Sequence, residues 1–271
     1  MSDAATSILI VNFNKKEQLR ALLKSLKMDE ATTVEVIVID NASFDGSREM
    51  VRAEFPKVRV IEMENNRGFA VAANKGIDQA SGDVAVLCHS DLVTTIHVLS
   101  ELADQVREGR SRRVAGVAAR VVSPDKTELP SAGTFPGLVR GIAGAFSPET
   151  AHKRFVPSLD HIADHQYATT MCIALDLQVL SAHVGLFDPK FFLYYADADL
   201  SLRMHEKQYR ILVSRRLQVI KQRPPLGEGN KKLAPHLARL MRKDQMHFFE
   251  KHRGGLQRAL VGAAMKMKGK D

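Results

Sequence analysis

Four short apolar runs, separated by stretches of a different period, constrain this chain more than any other feature. They are SILIVNF at 7–13, VEVIVID at 34–40, VRVIEM at 58–63 and DVAVLCH at 83–89. Each is rich in β-branched residues, as buried strands are. Between the first two, KKEQLRALLKSLK places Leu19, Leu22, Leu23 and Leu26 on one helical face. The turn residues of DNASFDGS lead into a helix at about 46–54, and ENNRGFAVAANKGIDQA reads as a loop entering a third helix. A β-α-β-α-β-α-β alternation is satisfied by an α/β fold, a mostly parallel sheet covered by helices on both faces. In such sheets ligands bind beyond the carboxyl ends of the strands. Asp40, Asn41, Asn65, Asn66, Arg67 and Asp91 fall at those ends.

The rest of the chain continues the pattern less regularly. A helix is expected at about 95–108 and a strand at 114–122. Residues 123–168, rich in Gly, Pro, His and Ser, read as the loops and short elements of a substrate-facing region. TTMCIAL (169–175) reads as a strand and 176–184 as a short helix. The stretch FFLYYADADLSLR, 191–203, follows, with Asp197 and Asp199 two apart behind an aromatic run. LSLRMHEKQ then reads as a helix, RILVS as a strand and LQVIKQ (217–222) as another. From 233 to about 252, Leu233, Leu237, Leu240, Met241, Phe248 and Phe249 recur with helical spacing in a strongly basic segment. The expected organisation is a domain over 1–229, with halves 1–122 and 123–229, and a basic helical extension over 230–271.

Bulk properties exclude several classes. The net charge is +8, and from Asn230 onward there are 11 Lys and Arg against 3 Asp and Glu, so that segment holds the whole excess. No apolar run approaches the length of a membrane span, and MSDAATSILIVNFN has neither a basic leader nor a cleavage site. Cys88 and Cys172 sit in apolar runs and read as reduced core thiols, so a cytoplasmic location is expected. A dinucleotide fingerprint fails because NFNKKEQ, after the first strand, has no Gly-rich turn. There is no Walker Lys, no Gly-x-Ser-x-Gly elbow and no metal-ligand spacing of the type His-x-x-x-His beside a Glu. What remains is a set of polar residues at strand ends.

Here the sequence resembles a family. SILIVNFN, LLKSL, VEVIVIDNASFDGS, NNRGFAVAANKGI and GDVAVLCHSD, in that order, look like the nucleotide-sugar half of family 2 glycosyltransferases, especially the rhamnosyltransferase-like branch. VGLFDPKFFLYYADADLSLRMHEKQYRILV looks like the acceptor half, and HLARLMRKDQMHFFEKHRG resembles the basic helix that often follows. The resemblance covers about 1–255 and implies a GT-A fold with a Rossmann-like sheet. It implies an inverting transfer of a sugar, rhamnose in that branch, from a UDP- or dTDP-sugar to a glycan or lipid-linked acceptor. The work would belong to cell-wall or polysaccharide synthesis.

The resemblance also implies roles. Backbone near Val11 and the side chain of Asp40 would hold the nucleobase, with Asn41 beside them; Asp40 also fits a plain strand-end turn residue. Asn66, Arg67 and Gly68 match a segment that closes on the donor, with Asn74 fixing the loop. Arg67 could face the diphosphate or simply be solvated. Asp91 matches the acid that ligates a divalent cation, Mg²⁺ or Mn²⁺, on the diphosphate. The chain has His89-Ser90-Asp91 where the family usually shows two carboxylates or Asn-Pro-Asp; His89 fits a ligand or a strand-end residue. Lys221 stands where many members have His. A protonated ammonium is no ligand, but it could lie against the diphosphate in the metal's place, or be a surface Lys.

In ADAD, Asp197 aligns with the catalytic base, and Ala196 replaces the family's Glu. Asp199 is expected at the N-cap or first turn of the following helix, orienting the loop, with Arg203 and Tyr195 in support. Both acids also fit an ordinary helix start. The departures at His89, Ala196 and Lys221 set up a second hypothesis, a silent nucleotide-sugar-binding protein on the same fold. The basic segment fits an interfacial helix on an anionic membrane, peripheral on the cytoplasmic face, or a solvated helix face. It lacks a nucleic-acid recognition motif, so no such partner is expected.

Overall fold

The first strand, β1 (Thr6–Asn12), is buried along nearly its whole length, and that places it inside the sheet rather than at an edge. The structure is a computed structural model, and it describes residues 6–28, 34–146, 154–155, 166–222 and 234–268. After β1 come α1 (Lys16–Ser25), β2 (Val34–Asp40), α2 (Ser47–Glu54), β3 (Arg59–Glu62), α3 (Phe69–Asp78) and β4 (Val84–His89). β1 pairs in parallel with β2 on one side and β4 on the other, and β2 pairs in parallel with β3. The alternation read from the first 90 residues is therefore the one built.

Beyond β4 the sheet becomes mixed. β5 (Leu92–Val93) and α4 (Ile96–Gly109) lead to β6 (Val114–Val122) and the short β7 (Glu128–Leu129). β8 (Ala132–Thr134), α5 (Leu138–Phe146), β9 (Arg154–Phe155) and β10 (Gln166–Ala168) precede β11 (Cys172–Asp176). The last elements are α6 (Ala196–Glu206), β12 (Arg210–Lys221), α7 (Pro235–His252) and α8 (Gly255–Lys268). Among the described residues the central sheet has 9 strands in the order β3-β2-β1-β4-β11-β6-β12-β5, with β7 on β6. β11 runs antiparallel between β4 and β6, whereas β6 and β12 are parallel. Cys88 and Cys172 face each other in the β4–β11 register as free, buried thiols.

Two apolar layers cover the sheet. On one face α1, α2 and α4 bury Leu19, Leu22, Leu23, Met50, Val51, Leu99 and Leu102. Thr95 caps α4, its hydroxyl accepting from the Val98 amide at 3.4 Å. On the other face α3 packs through Ala70, Ala72, Ala73 and Gly76, and these small residues let it lie close. A Cβ on Gly76 would stand 2.7 Å from the Ile39 side chain. The same layer holds Tyr195, Leu200, Met204, Met241, Phe248, Phe249 and Val261. α7 and α8 thus share the core with α3 and α6, and the basic segment is built into the body of the fold.

Several expectations change. The strand expected at 169–175 begins at Cys172, and residues 169–171 form the turn that joins it to β10. RILVS and LQVIKQ belong to one strand, β12. The polar Ser-Arg-Arg between them breaks the apolar pattern, yet pairing with β6 resumes after an irregularity between Val213 and Gln218. Within 123–168 lie α5 and a small antiparallel sheet of order β10-β8-β9. α8 went unread beyond the helix expected to end near 252. The expected boundary at 229–230 and the helix start at Leu233 fall outside the described residues.

Phe249 is fully buried where α7 meets α5; a Cβ on Gly141 would approach its ring to 2.5 Å. Phe249→Ala is expected to cost about 3–5 kcal/mol of stability, measured by guanidinium unfolding of the full chain. A change below 1 kcal/mol would mean that α7 is not part of the core.

Candidate active site

The loops after β1 and β2 are stapled together by their own polar side chains. Asp40 is buried at the end of β2 and accepts from the Asn12 amide at 3.3 Å and from the Ser43 backbone N–H at 2.9 Å. The Arg48 guanidinium lies 3.7 Å from the same carboxylate. Asn12 also reaches the Ser43 hydroxyl at 3.2 Å, and Asn14 accepts from the Phe44 amide at 2.9 Å. Asp45 accepts from the Lys16 amide at 2.8 Å and so ties the second loop to the first turn of α1. Beside Asp40 and Arg48 lies a cavity of about 360 Å³ lined by Ala42, Ser43, Arg48, Glu62, Met63 and Glu64. Phe13 and Phe44, edge to face at 6.4 Å, are exposed on these loops, Phe44 by 83%. The sequence reading passed over both, although an aromatic in each strand-end loop was the available signal. Val11 is half-buried, in register with Ile39 and His89.

The third loop is held by asparagine side chains. Asn41 donates to the Asn66 side chain at 2.9 Å and to the Gly68 carbonyl at 3.3 Å, and accepts from the Arg67 amide at 3.1 Å. Asn66 in turn accepts from the Gly68 amide at 3.0 Å. Asn74 bonds both backbone groups of Phe187, at 2.7 and 3.0 Å. Asn41, Asn66 and Asn74 therefore position loops. Arg67 is exposed, at the edge of a cavity of about 600 Å³ that also reaches Asn74 and Pro189.

Gly68 joins the two halves of the chain. Its φ of +84° lies in the left-handed region, and an added Cβ would stand 2.3 Å from the Phe192 carbonyl oxygen. The Phe69 amide donates to that oxygen at 2.6 Å. The loop after β3 and the loop before α6 thus touch through backbone, five residues before Asp197.

The loop carrying Asp197 is held from behind by α7. Asp244, fully buried, accepts from the backbone amides of Phe192, Leu193 and Tyr194 at 3.2, 2.9 and 2.9 Å. Burial raises the pKa of its carboxyl, and the three amide donors only partly offset that. Asp188 accepts from Lys251 at 2.8 Å and His247 at 3.0 Å, so the start of the same loop is pinned to α7 as well. Tyr195 is buried with φ +66°, a strained conformation for a residue with a side chain, and its ring lies 5.5 Å from Phe248. Asp197, half-buried in the first turn of α6, accepts from the Ala198 amide at 2.9 Å.

Asp199 takes the second of its two expected positions: α6 starts at Ala196 with Tyr195 at the N-cap, so Asp199 lies in the first turn. Fully buried, it accepts from Arg203 at 2.7 Å, His252 at 2.7 Å and Lys251 at 2.7 Å. Burial alone would raise its pKa; His252, Arg203 and Lys251 outweigh it and hold the carboxyl below the usual range. Arg203 spends its remaining donors on the carbonyls of Val184, Gly185 and Leu186. Both side chains are thus engaged within the protein. Asp244 was missed altogether; a lone acid on the apolar face of a basic helix, between Met241 and Phe248, was the signal.

Asp91 lies in the turn between β4 and β5 and meets two ammonium groups. Lys221 donates to one carboxylate oxygen at 2.6 Å and Lys15 to the other at 2.8 Å. Burial would raise the Asp91 pKa, but Lys221 and Lys15 hold it well below the ordinary carboxylate range. Ser90 is buried, and His89 packs its ring 5.9 Å from Phe69. Among the described residues no group of three or more His, Cys, Asp or Glu could hold a metal ion. With both oxygens of Asp91 taken by ammonium groups, the residues present do not fit a divalent cation.

A mostly parallel α/β sheet, with polar strand ends facing a carboxylate loop from the second half of the chain, defines the GT-A class of glycosyltransferase. The chain matches glycosyl transferase family 2 over residues 7–168, and it belongs to that family. It is similar to the N-acetylglucosaminyl-diphospho-decaprenol L-rhamnosyltransferase of Mycobacterium tuberculosis, with 26% identity over 216 residues, 73% of this chain and 69% of the relative. The similarity is thus to a protein of the rhamnosyltransferase branch. Among solved structures it resembles the mannosyltransferase PcManGT from Pyrobaculum calidifontis in complex with GDP-Man and Mn²⁺. The TM-score is 0.57 at 14% identity, over 98% of this chain and 75% of that one. TarS of S. aureus (residues 1–349) gives 0.55 at 15%, over 92% and 72%.

Asp244→Ala would leave three backbone donors without their acceptor, at about 1–3 kcal/mol for each that stays unpaired. The transfer rate is expected to fall at least about tenfold, the equivalent of 1.4 kcal/mol in the barrier, while nucleotide affinity holds. Rate assays beside calorimetric nucleotide titration check this; unchanged turnover would remove Asp244 from the positioning of the loop.

Proposed function

We propose that the chain transfers a sugar, with inversion at C1, from a UDP- or dTDP-sugar to a glycan or lipid-linked acceptor, with Asp197 as the base. The observation that carries this reading is the backbone contact between Gly68 and Phe192, which brings the donor-side loop against the loop that leads to Asp197. The acceptor oxygen forms its bond to C1 as the bond from C1 to the diphosphate oxygen breaks. The hydroxyl proton passes to the Asp197 carboxylate, and the nucleoside diphosphate leaves from the opposite face with the bonding electrons. The base of the nucleotide would lie by Asp40, Arg48 and the adjoining cavity, near the backbone of Val11, with Phe13 offering an aromatic face. Arg67 would face the diphosphate. The lipid-linked acceptor is suggested by the name of the mycobacterial relative.

Asp197→Asn is expected to lower turnover by about 10²–10⁴, the usual worth of a positioned base, with UDP or dTDP binding nearly intact. The check is a transfer assay beside a thermal-shift panel of nucleoside diphosphates and their sugars. Full activity of the variant would sink the assignment of the base.

An anionic lipid surface is the proposed docking partner of the C-terminal helices. No helix among the described residues is long and apolar enough to cross a membrane. α8 instead exposes Leu256, Leu260 and Met267 along one side, with Arg258 and Lys266 also exposed, while Val261 and Ala264 face the core. An apolar stripe beside basic residues suits the headgroup boundary, and it would keep the enzyme near a lipid-linked acceptor. The double variant Leu256→Glu/Leu260→Glu, in the full chain, is expected to lose flotation with phosphatidylglycerol liposomes. It should keep the wild-type melting temperature within a few degrees. Equal flotation of the two proteins would remove the membrane reading.

A further inference from the structure

We propose that Lys15, Asp91 and Lys221 form a fixed cationic site that binds the donor's diphosphate without a divalent metal, Lys221 neutralising Asp91 so that the charge of Lys15 faces the ligand. The inference rests on the nucleotide-sugar reading above and concerns how that donor is held. Three segments distant in sequence converge here: the loop after β1, the turn after β4 and the last residue of β12. The arrangement is built in from behind. Lys221 is in register with Leu92, the Gln222 amide donates to the Asp91 carbonyl at 2.9 Å, and the Gln222 side chain reaches the carbonyls of Leu92 and Gln18 at 2.9 and 3.1 Å. The Lys221 side chain is only 6% exposed and Asp91 is 9%, whereas Lys15 is 42% exposed. Both ammonium groups donate to the carboxylate, the inner one buried with it and the outer one left as the solvent-accessible charge of the three.

Charge accounting favours the same conclusion. One carboxylate with one divalent cation carries a net single positive charge, and so do two ammonium groups with one carboxylate. The cluster therefore offers the departing nucleoside diphosphate the charge that a metal on Asp91 would offer. A cation entering at Asp91 would have to displace both lysines or sit beside them, against like-charge repulsion in a poorly solvated place. An ammonium already in position needs no such exchange, and it stabilises the charge that develops on the diphosphate as the C1–O bond breaks.

The test is a calorimetric titration of the full chain with UDP and with dTDP, in EDTA and then in Mn²⁺, with uridine and thymidine as phosphate-free controls. The expected result is diphosphate binding in EDTA with a Kd that Mn²⁺ changes by no more than about twofold. Lys15→Gln, at a half-exposed position that leaves Lys221 on Asp91, should keep its melting temperature within a few degrees. It should weaken diphosphate binding about tenfold or more, the loss of one charge-assisted hydrogen bond, with nucleoside binding unchanged. Binding that fails in EDTA and returns with Mn²⁺ would overturn the metal-free site while upholding the donor reading. So would a Lys15→Gln protein that binds UDP or dTDP like the wild type. No binding of either nucleotide with or without Mn²⁺ would overturn this inference and the donor reading together.

Discussion

The arrangement of the site depends on one buried carboxylate. Asp244 accepts three consecutive backbone amides, Phe192 to Tyr194, and so fixes the course of the chain into Asp197. A buried acid is costly, and its raised pKa records that cost. What it obtains is a loop whose amides have a partner away from water, with Tyr195 held in a left-handed conformation it would not choose alone. The Asp188 contacts with His247 and Lys251 and the Asp199 contacts with Lys251 and His252 extend the same anchoring along α7. Lys251, with His247 and His252, is thus used internally, on Asp188 and Asp199.

The donor side follows a complementary rule. Its polar strand-end residues are occupied with one another, and they shape loops more than they wait for ligand. Asn12, Asn14, Asp40, Ser43 and Asp45 lock two loops, and Asn41 and Asn66 lock the third. Gly68 then meets Phe192 at a distance only a residue without a side chain allows. Preorganisation of both loops before substrate arrives suits the proposed transfer, because a base misplaced by an ångström loses much of its effect.

The first 90 residues were legible because their periodicities are local. β-branched runs and the Leu19–Leu26 face report directly on strand and helix. Strand-end positions were legible too, but their roles were not. Asn41 is of a type that binds ligands, and its use on Asn66 is decided by a contact 25 residues away; the partner of Asn74, Phe187, lies 113 residues away. Asp244 was hidden for the same reason, since its partners lie about 50 residues earlier. The pairing of Lys15 with Lys221 across Asp91 joins positions that no local pattern connects. Ala196, the departure that first raised doubt, is buried at the start of α6, and the loop around it is supported by other means.

The central claim is that the Asp197 loop is rigid before any substrate binds, because α7 holds it. Amide hydrogen exchange of the ligand-free full chain, resolved at residues 192–194, tests this directly. The account predicts protection of these three amides comparable with the interior of α6, unchanged on adding UDP or dTDP. Exchange as fast as in an open surface loop, slowing only when nucleotide is added, would contradict it.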